Sequence, residues 1–112
     1  MTVNDILTKT DGMFPNQYTT AQKLSWFNDV ERNIFNYMYP GVPYSTKTAT
    51  SVPYANDEMI YVNYIAAMID YANEEIDRYN NKAMAFEMRF QAWKEQYTQK
   101  GYVKQPVRVR NL

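Results

Sequence analysis

The sequence predicts an all-α protein, a small four-helix arrangement over about residues 3–12, 20–38, 57–72 and 75–98, with a long 39–54 loop and an extended C-terminal tail. Three observations predict it. First, Val62, Ile65, Ile69, Ala72, Ile76, Tyr79, Ala83, Phe86, Phe90, Trp93 and Tyr97 recur at alternating steps of three and four. Such steps keep to one face of a helix, whereas strand residues alternate with period two. Second, no Gly or Pro falls between Tyr54 and Lys100. Third, the 112 residues hold three Gly and five Pro against 46% hydrophobic residues, apolar material enough for one small core. Residues 1–99 are expected to form a single helical domain and residues 100–112 a basic tail.

The first helix opens at Thr2-Val3-Asn4-Asp5, a capping residue followed by a carboxylate at the third helical position. Val3, Ile6, Leu7 and Thr10 then share a face, and the stretch from Gly12 to Pro15 ends the helix. Met13 and Phe14 are expected to plug the core from the turn. Thr19 caps the second helix, with Gln22 three residues on. Its stripe is Leu24, Phe27, Val30, Ile34 and Tyr37/Met38, flanked by Trp26 and Phe35, and Pro40-Gly41 stops it. Asp29, Glu31 and Arg32 are read as solvated.

Residues 39–54 carry three Pro and five Ser/Thr and show neither periodicity. Neither flank could bury a core alone, so this is a long loop and not a domain boundary, and loops of this length are usually functional or mobile. Tyr44 and Tyr54 suggest that part of it packs down, and Thr46–Val52 could pair as a short hairpin. Asn56-Asp57-Glu58 opens the third helix with a capping Asn and two acids at its positive end. A single rod over residues 57–98 would be about 63 Å long and would leave much of its stripe bare. Asn73-Glu74-Glu75 and Asn80-Asn81 are poor helix-interior residues and good caps, so a break or sharp kink at one of them is favoured. Gly101 suits a helix terminus, and beyond it Val103, Val107 and Val109 alternate with Lys104, Arg108 and Arg110 around Pro106.

Charge is zero overall but uneven. Residues 51–99 hold eight acids and four bases, net −4, and residues 100–112 hold Lys100, Lys104, Arg108 and Arg110 and no acid, net +4. A basic tail on an acidic body suggests that the tail meets an acidic surface, on another copy, another protein or nucleic acid. The absence of Cys and His excludes disulfides, the usual zinc sites and His-based acid/base catalysis. No apolar run long enough to span a membrane and no secretory signal is present, and no phosphate loop, nucleophile elbow or metalloprotease motif occurs, so an enzyme and a cofactor are not expected. Asp70, Glu74 and Asp77 share a helical face and could hold a divalent cation, but ion pairing of Arg78 with Glu74 or Glu75 on a solvated face is the favoured reading. Of 11 Tyr, those beyond the stripes, Tyr61, Tyr64, Tyr71 and Tyr102, look like interface, because Tyr buries well and keeps a polar end.

Residues 11–16, DGMFPN, with Lys23-Leu24-Ser25-Trp26-Phe27-Asn28-Asp29-Val30-Glu31, resemble the opening of small head–tail connector (adaptor) proteins of long-tailed bacteriophages and prophages of Gram-positive hosts. Tyr64-Ile65-Ala66-Ala67-Met68-Ile69-Asp70 and Glu75-Ile76-Asp77-Arg78-Tyr79-Asn80-Asn81 are similar to the second half of the same family. The chain departs from it at Asn73-Glu74-Glu75, where no Gly marks a turn. The resemblance implies a virion neck protein, assembled in the host cytoplasm as a twelve-fold homo-oligomeric ring beneath the portal protein. Such a ring joins head to tail, offers a face to the next connector or tail-completion protein, and passes DNA through its lumen without specific binding. It implies portal docking by Tyr102, Val103, Lys104, Val107, Arg108, Val109 and Arg110, and lateral contacts through Tyr61, Tyr64 and Tyr71. A small helical nucleic-acid-binding regulator using the basic tail is the alternative.

Overall fold

The computed structural model describes residues 1–99, and the tail from residue 100 onward, with all seven of its proposed docking residues, lies outside them. Four helices follow in order: α1 (Val3–Met13), α2 (Thr20–Met38), α3 (Glu58–Ala72) and α4 (Ile76–Gln99). No strand occurs among the described residues, so Thr46–Val52 does not pair as a hairpin. It instead folds through a turn in which Ser51 N–H donates to Thr48 O at 3.1 Å.

The caps follow the sequence closely. Thr2 Oγ1 accepts from Asp5 N–H while Asp5 reaches back to Thr2 N–H, a reciprocal capping box at α1. Thr19 accepts from Gln22 N–H at α2. At α3 the cap is Asp57, not Asn56: its carboxylate accepts from Met59 N–H and also receives Arg89 from α4. That placement puts the negative charge directly on the exposed N–H groups of the first turn, where the helix dipole favours it.

α3 is the central element, and α1, α2 and α4 each pack against it. Ile60, Tyr61, Val62, Ile65, Ala66, Ala67 and Ile69 are all buried. Ile60, Tyr61, Val62, Ile65 and Ile69 meet Val3, Ile6 and Leu7 of α1, and Trp26, Phe27, Val30 and Ile34 of α2, in one core cluster with Phe86 and Trp93 of α4. Phe86, Phe90, Trp93 and Tyr97 form a stacked aromatic row along α4, with centroid spacings of 5.4, 6.2 and 5.2 Å. Tyr37 carries α2 onto that row through Trp93 and Tyr97 and shares a 2.6 Å hydrogen bond with Thr98.

The long stripe is broken, as its Asn-Glu-Glu predicts. After Asn73, Glu74 adopts φ 62°. Glu75 N–H donates to Asp70 O at 2.9 Å and Glu74 N–H to Tyr71 O at 3.0 Å. This pair of bonds is the Schellman arrangement that stops a helix, usually with Gly at the left-handed position. Tyr18 OH donates to Asn73 Oδ1 at 2.6 Å, tying the α1–α2 connection to this turn. The break takes Ala72 and Ile76 out of the buried face, and Ile76 is exposed. Met13 is exposed as well, while Phe14 packs against the core with Lys82 over its ring.

Candidate interaction surfaces

Glu31 is not solvated. It is 0% exposed, because it stands four residues after Phe27 and three before Ile34, on the buried face of α2. Its carboxylate accepts from Lys47 Nζ at 2.7 Å, Tyr61 OH at 2.6 Å and Tyr54 N–H at 2.9 Å. One turn earlier, buried Asn28 accepts from Lys47 N–H and Tyr44 OH and donates to Lys47 O. Two side chains of α2 thus fasten the irregular segment 39–57. That segment in turn serves α1, since Ser51 O and Ala49 O accept from Val3 and Asn4 N–H at 2.9 and 2.8 Å. Buried polar groups persist only when their hydrogen bonds are made, and here the loop supplies them.

The three proposed lateral tyrosines have separate fates. Tyr61 is a core residue and cannot form a lateral surface: it is 0% exposed, its ring stacks on Phe27 at 4.8 Å, and its hydroxyl lies on Glu31. Tyr64 is half-buried with Phe86 against its ring at 5.2 Å. Tyr71 remains on the surface, 56% exposed, with Tyr79 of α4 at 5.3 Å. The missed signal for Tyr61 is the absence of any charge between Glu58 and Asp70, since a helix apolar on all sides belongs inside.

The proposed acidic face of 70–77 is also not a face. Asp70 is buried and paired with Lys82 of α4, and Glu74 sits in the turn. Arg78 pairs with Glu75 at 3.5 Å, as the spacing predicts. No group of three or more Asp or Glu among the described residues could hold a metal ion.

The surface left over lies on α4. Met84 is 64% and Met88 72% exposed, and with Tyr79, Asn80, Ala83 and Glu87 they line a shallow groove. Through Tyr79 it is continuous with Tyr71 of α3. Methionine at a surface adapts to varied partners and is costly to leave in water. A second aromatic group, Phe35, Tyr39, Tyr44 and Tyr54, surrounds the fastened loop, with Lys47 over Tyr54 at 3.4 Å and Arg32 over Tyr44 at 5.3 Å. Its members partner one another, and Tyr39 and Tyr54 remain exposed at its edge. No helix of the described residues is long and apolar enough to cross a membrane. No protein-family model, curated protein or solved structure matches this chain.

Proposed function

We propose that this chain is a structural virion protein, a head–tail adaptor that assembles as a twelve-fold ring beneath a portal, extends the DNA channel and joins head to tail. The observation that carries the reading is the one-sided packing of α4, whose inner aromatic row is covered by α3 while its outer side exposes Met84 and Met88. A ring subunit needs such a face for its neighbour, and Tyr71, Tyr79, Met84 and Met88 would supply it. The arm from Tyr102 to Arg110 would dock on the portal, and ordering on binding suits its alternating Val and Lys/Arg. The net −4 of residues 51–99 suits a channel through which DNA must pass without sticking.

The test is reconstitution with the portal ring of the same virus. The full chain should co-sediment with portal at a fixed subunit ratio and sit as a ring at its base by electron microscopy. A chain ending at residue 101 should keep its helicity and lose portal binding. Failure of the full chain to bind portal would overturn the reading.

A further inference from the structure

The chain has seven methionines, and the fold sorts them. Met38, Met59 and Met68 are half-buried and pack against the core cluster. Met1 and Met13, before and at the end of α1, are exposed, and Met84 and Met88 are more exposed than either. Neither Met84 nor Met88 belongs to the core cluster or to the side chains packed on it. They stand one turn apart on α4, so their thioethers share one face of the helix.

The groove they line with Tyr79, Asn80, Ala83 and Glu87 is open to water and holds about 660 Å³, ample room for a small neutral oxidant. Its lining carries one acid, Glu87, and no base. As oxygen bonds to a thioether the sulfur loses electron density, and a carboxylate with no cation beside it in the groove favours that charge. Asn80, one turn before Met84, brings an amide N–H that can donate to a sulfoxide oxygen.

We infer that Met84 and Met88 form an oxidation site for hydroperoxides, and that their conversion to sulfoxides turns the outer groove of α4 from apolar to polar while the fold stays intact. With hydrogen peroxide, a sulfur lone pair attacks one oxygen and the O–O bond breaks. The departing hydroxide takes the proton of the transferred oxygen and leaves as water. Sulfur is oxidised by two electrons and the peroxide is reduced by two. Sulfoxide reductases, one for each epimer at sulfur, reverse the change. The core is spared because its own methionines are covered. One consequence rests on the adaptor reading: a polar groove no longer accepts a neighbouring copy, so oxidised subunits do not pack side by side.

In the test, the full chain is treated with hydrogen peroxide and its sulfoxides are followed by mass spectrometry of proteolytic peptides. Met84 and Met88 should oxidise first, at least about fivefold faster than Met38, Met59 and Met68. With that pair oxidised, helicity by circular dichroism should be unchanged and the chain should elute earlier from a hydrophobic-interaction column. Treatment with the two reductases should restore the original elution. The Met84→Leu/Met88→Leu variant keeps the groove apolar and has no thioether there, so peroxide should leave its elution in place. Rates at 84 and 88 no greater than at the three packed methionines would overturn the inference. So would loss of helicity on oxidation of the pair, or an equal elution shift in the Met84→Leu/Met88→Leu variant. Portal is absent from these measurements, so their failure leaves the proposed function standing, and loss of portal binding leaves this result standing.

Discussion

Tyr61 of α3 donates its hydroxyl to Glu31 of α2 at 2.6 Å, joining two helices and the loop between them through one buried carboxylate. The same hydroxyl accepts from Ala55 N–H at 3.0 Å, so Glu31, Tyr61 and the end of the loop form one polar unit inside the core. Lys47 supplies the compensating charge from the loop.

Removing one member of this unit strands the others. Glu31→Ala leaves Lys47, Tyr61 and Tyr54 N–H without their acceptor and is expected to cost about 3–5 kcal/mol, the range for breaking a buried pair. Tyr61→Phe keeps the stacking on Phe27 but leaves Glu31 and Ala55 N–H each one bond short, for a cost of about 1–3 kcal/mol. Urea denaturation measures both. Limited proteolysis should show faster cleavage within 45–52 in Glu31→Ala, because the loop loses its anchor. Unchanged cleavage would mean that Asn28 and the Val3 and Asn4 N–H groups hold it without Glu31.

The same unit makes stability sensitive to alkali. Burial first, and then the neighbouring Glu31 carboxylate, push the Tyr44 phenol from 10.0 up to about 12. Burial and Glu31 raise Tyr61 further in the same direction. Below about pH 10 both folded and unfolded chains keep these protons, and the contribution to stability is complete. Between about pH 10 and 12 the unfolded chain releases protons that the folded chain retains, so stability falls as pH rises. Thermal melts across this window should show that fall, and Tyr44→Phe and Tyr61→Phe should each make it shallower. Identical slopes in all three proteins would place its origin elsewhere.

Much of the fold was legible because helix periodicity and capping are local. Thr2 and Thr19 cap as read, and the face Val3, Ile6, Leu7 and Thr10 is wholly buried. What was not legible depends on what each helix face meets. Glu31 lies on the same row as Phe27 and Ile34, yet its residue type suggests water, and only the loop brings Lys47 and Tyr54 to satisfy it. Tyr61 belongs to a row beside the main stripe, and spacing does not say what covers that row, whereas packing by α1, α2 and α4 consumes more than one side of α3. On α4 the spacing shows the inner row, and exposure alone identifies Met84 and Met88 as the outer one.

The turn between α3 and α4 carries a correctable strain. Glu74 holds φ 62°, where a side chain costs about 1–2 kcal/mol and glycine costs almost nothing. Glycine also loosens the unfolded chain, which takes back about 0.4–1 kcal/mol. Glu74→Gly should therefore raise the denaturation midpoint by a small amount, up to about 1 kcal/mol in stability. Glu74→Val, β-branched at the same φ, should lower it. The two substitutions moving together would show that the side chain of Glu74, and not its backbone, governs the turn.

Asp70 and Lys82 pose a different question, whether a buried ion pair stabilises or only specifies. Asp70 is nearly inaccessible, and Lys82 reaches it from α4 while its ammonium lies 4.3 Å from the centre of the Phe14 ring. Lys82→Met leaves the Asp70 carboxylate in the core with no cation, and Asp70→Leu leaves Lys82 with only the ring, so each single change should destabilise. The carboxylate is the more buried partner, and Lys82→Met should cost more, about 3–5 kcal/mol. The double variant removes both charges and adds apolar contact between α3 and α4. It should be more stable than either single variant, with a coupling of about 1–3 kcal/mol in a double-mutant cycle. If the double variant instead recovers nothing, the pair is fixing the register of α4 on α3 through geometry that apolar side chains cannot reproduce, and its loss should also blur the dispersion of the Trp93 and Phe86 side-chain resonances.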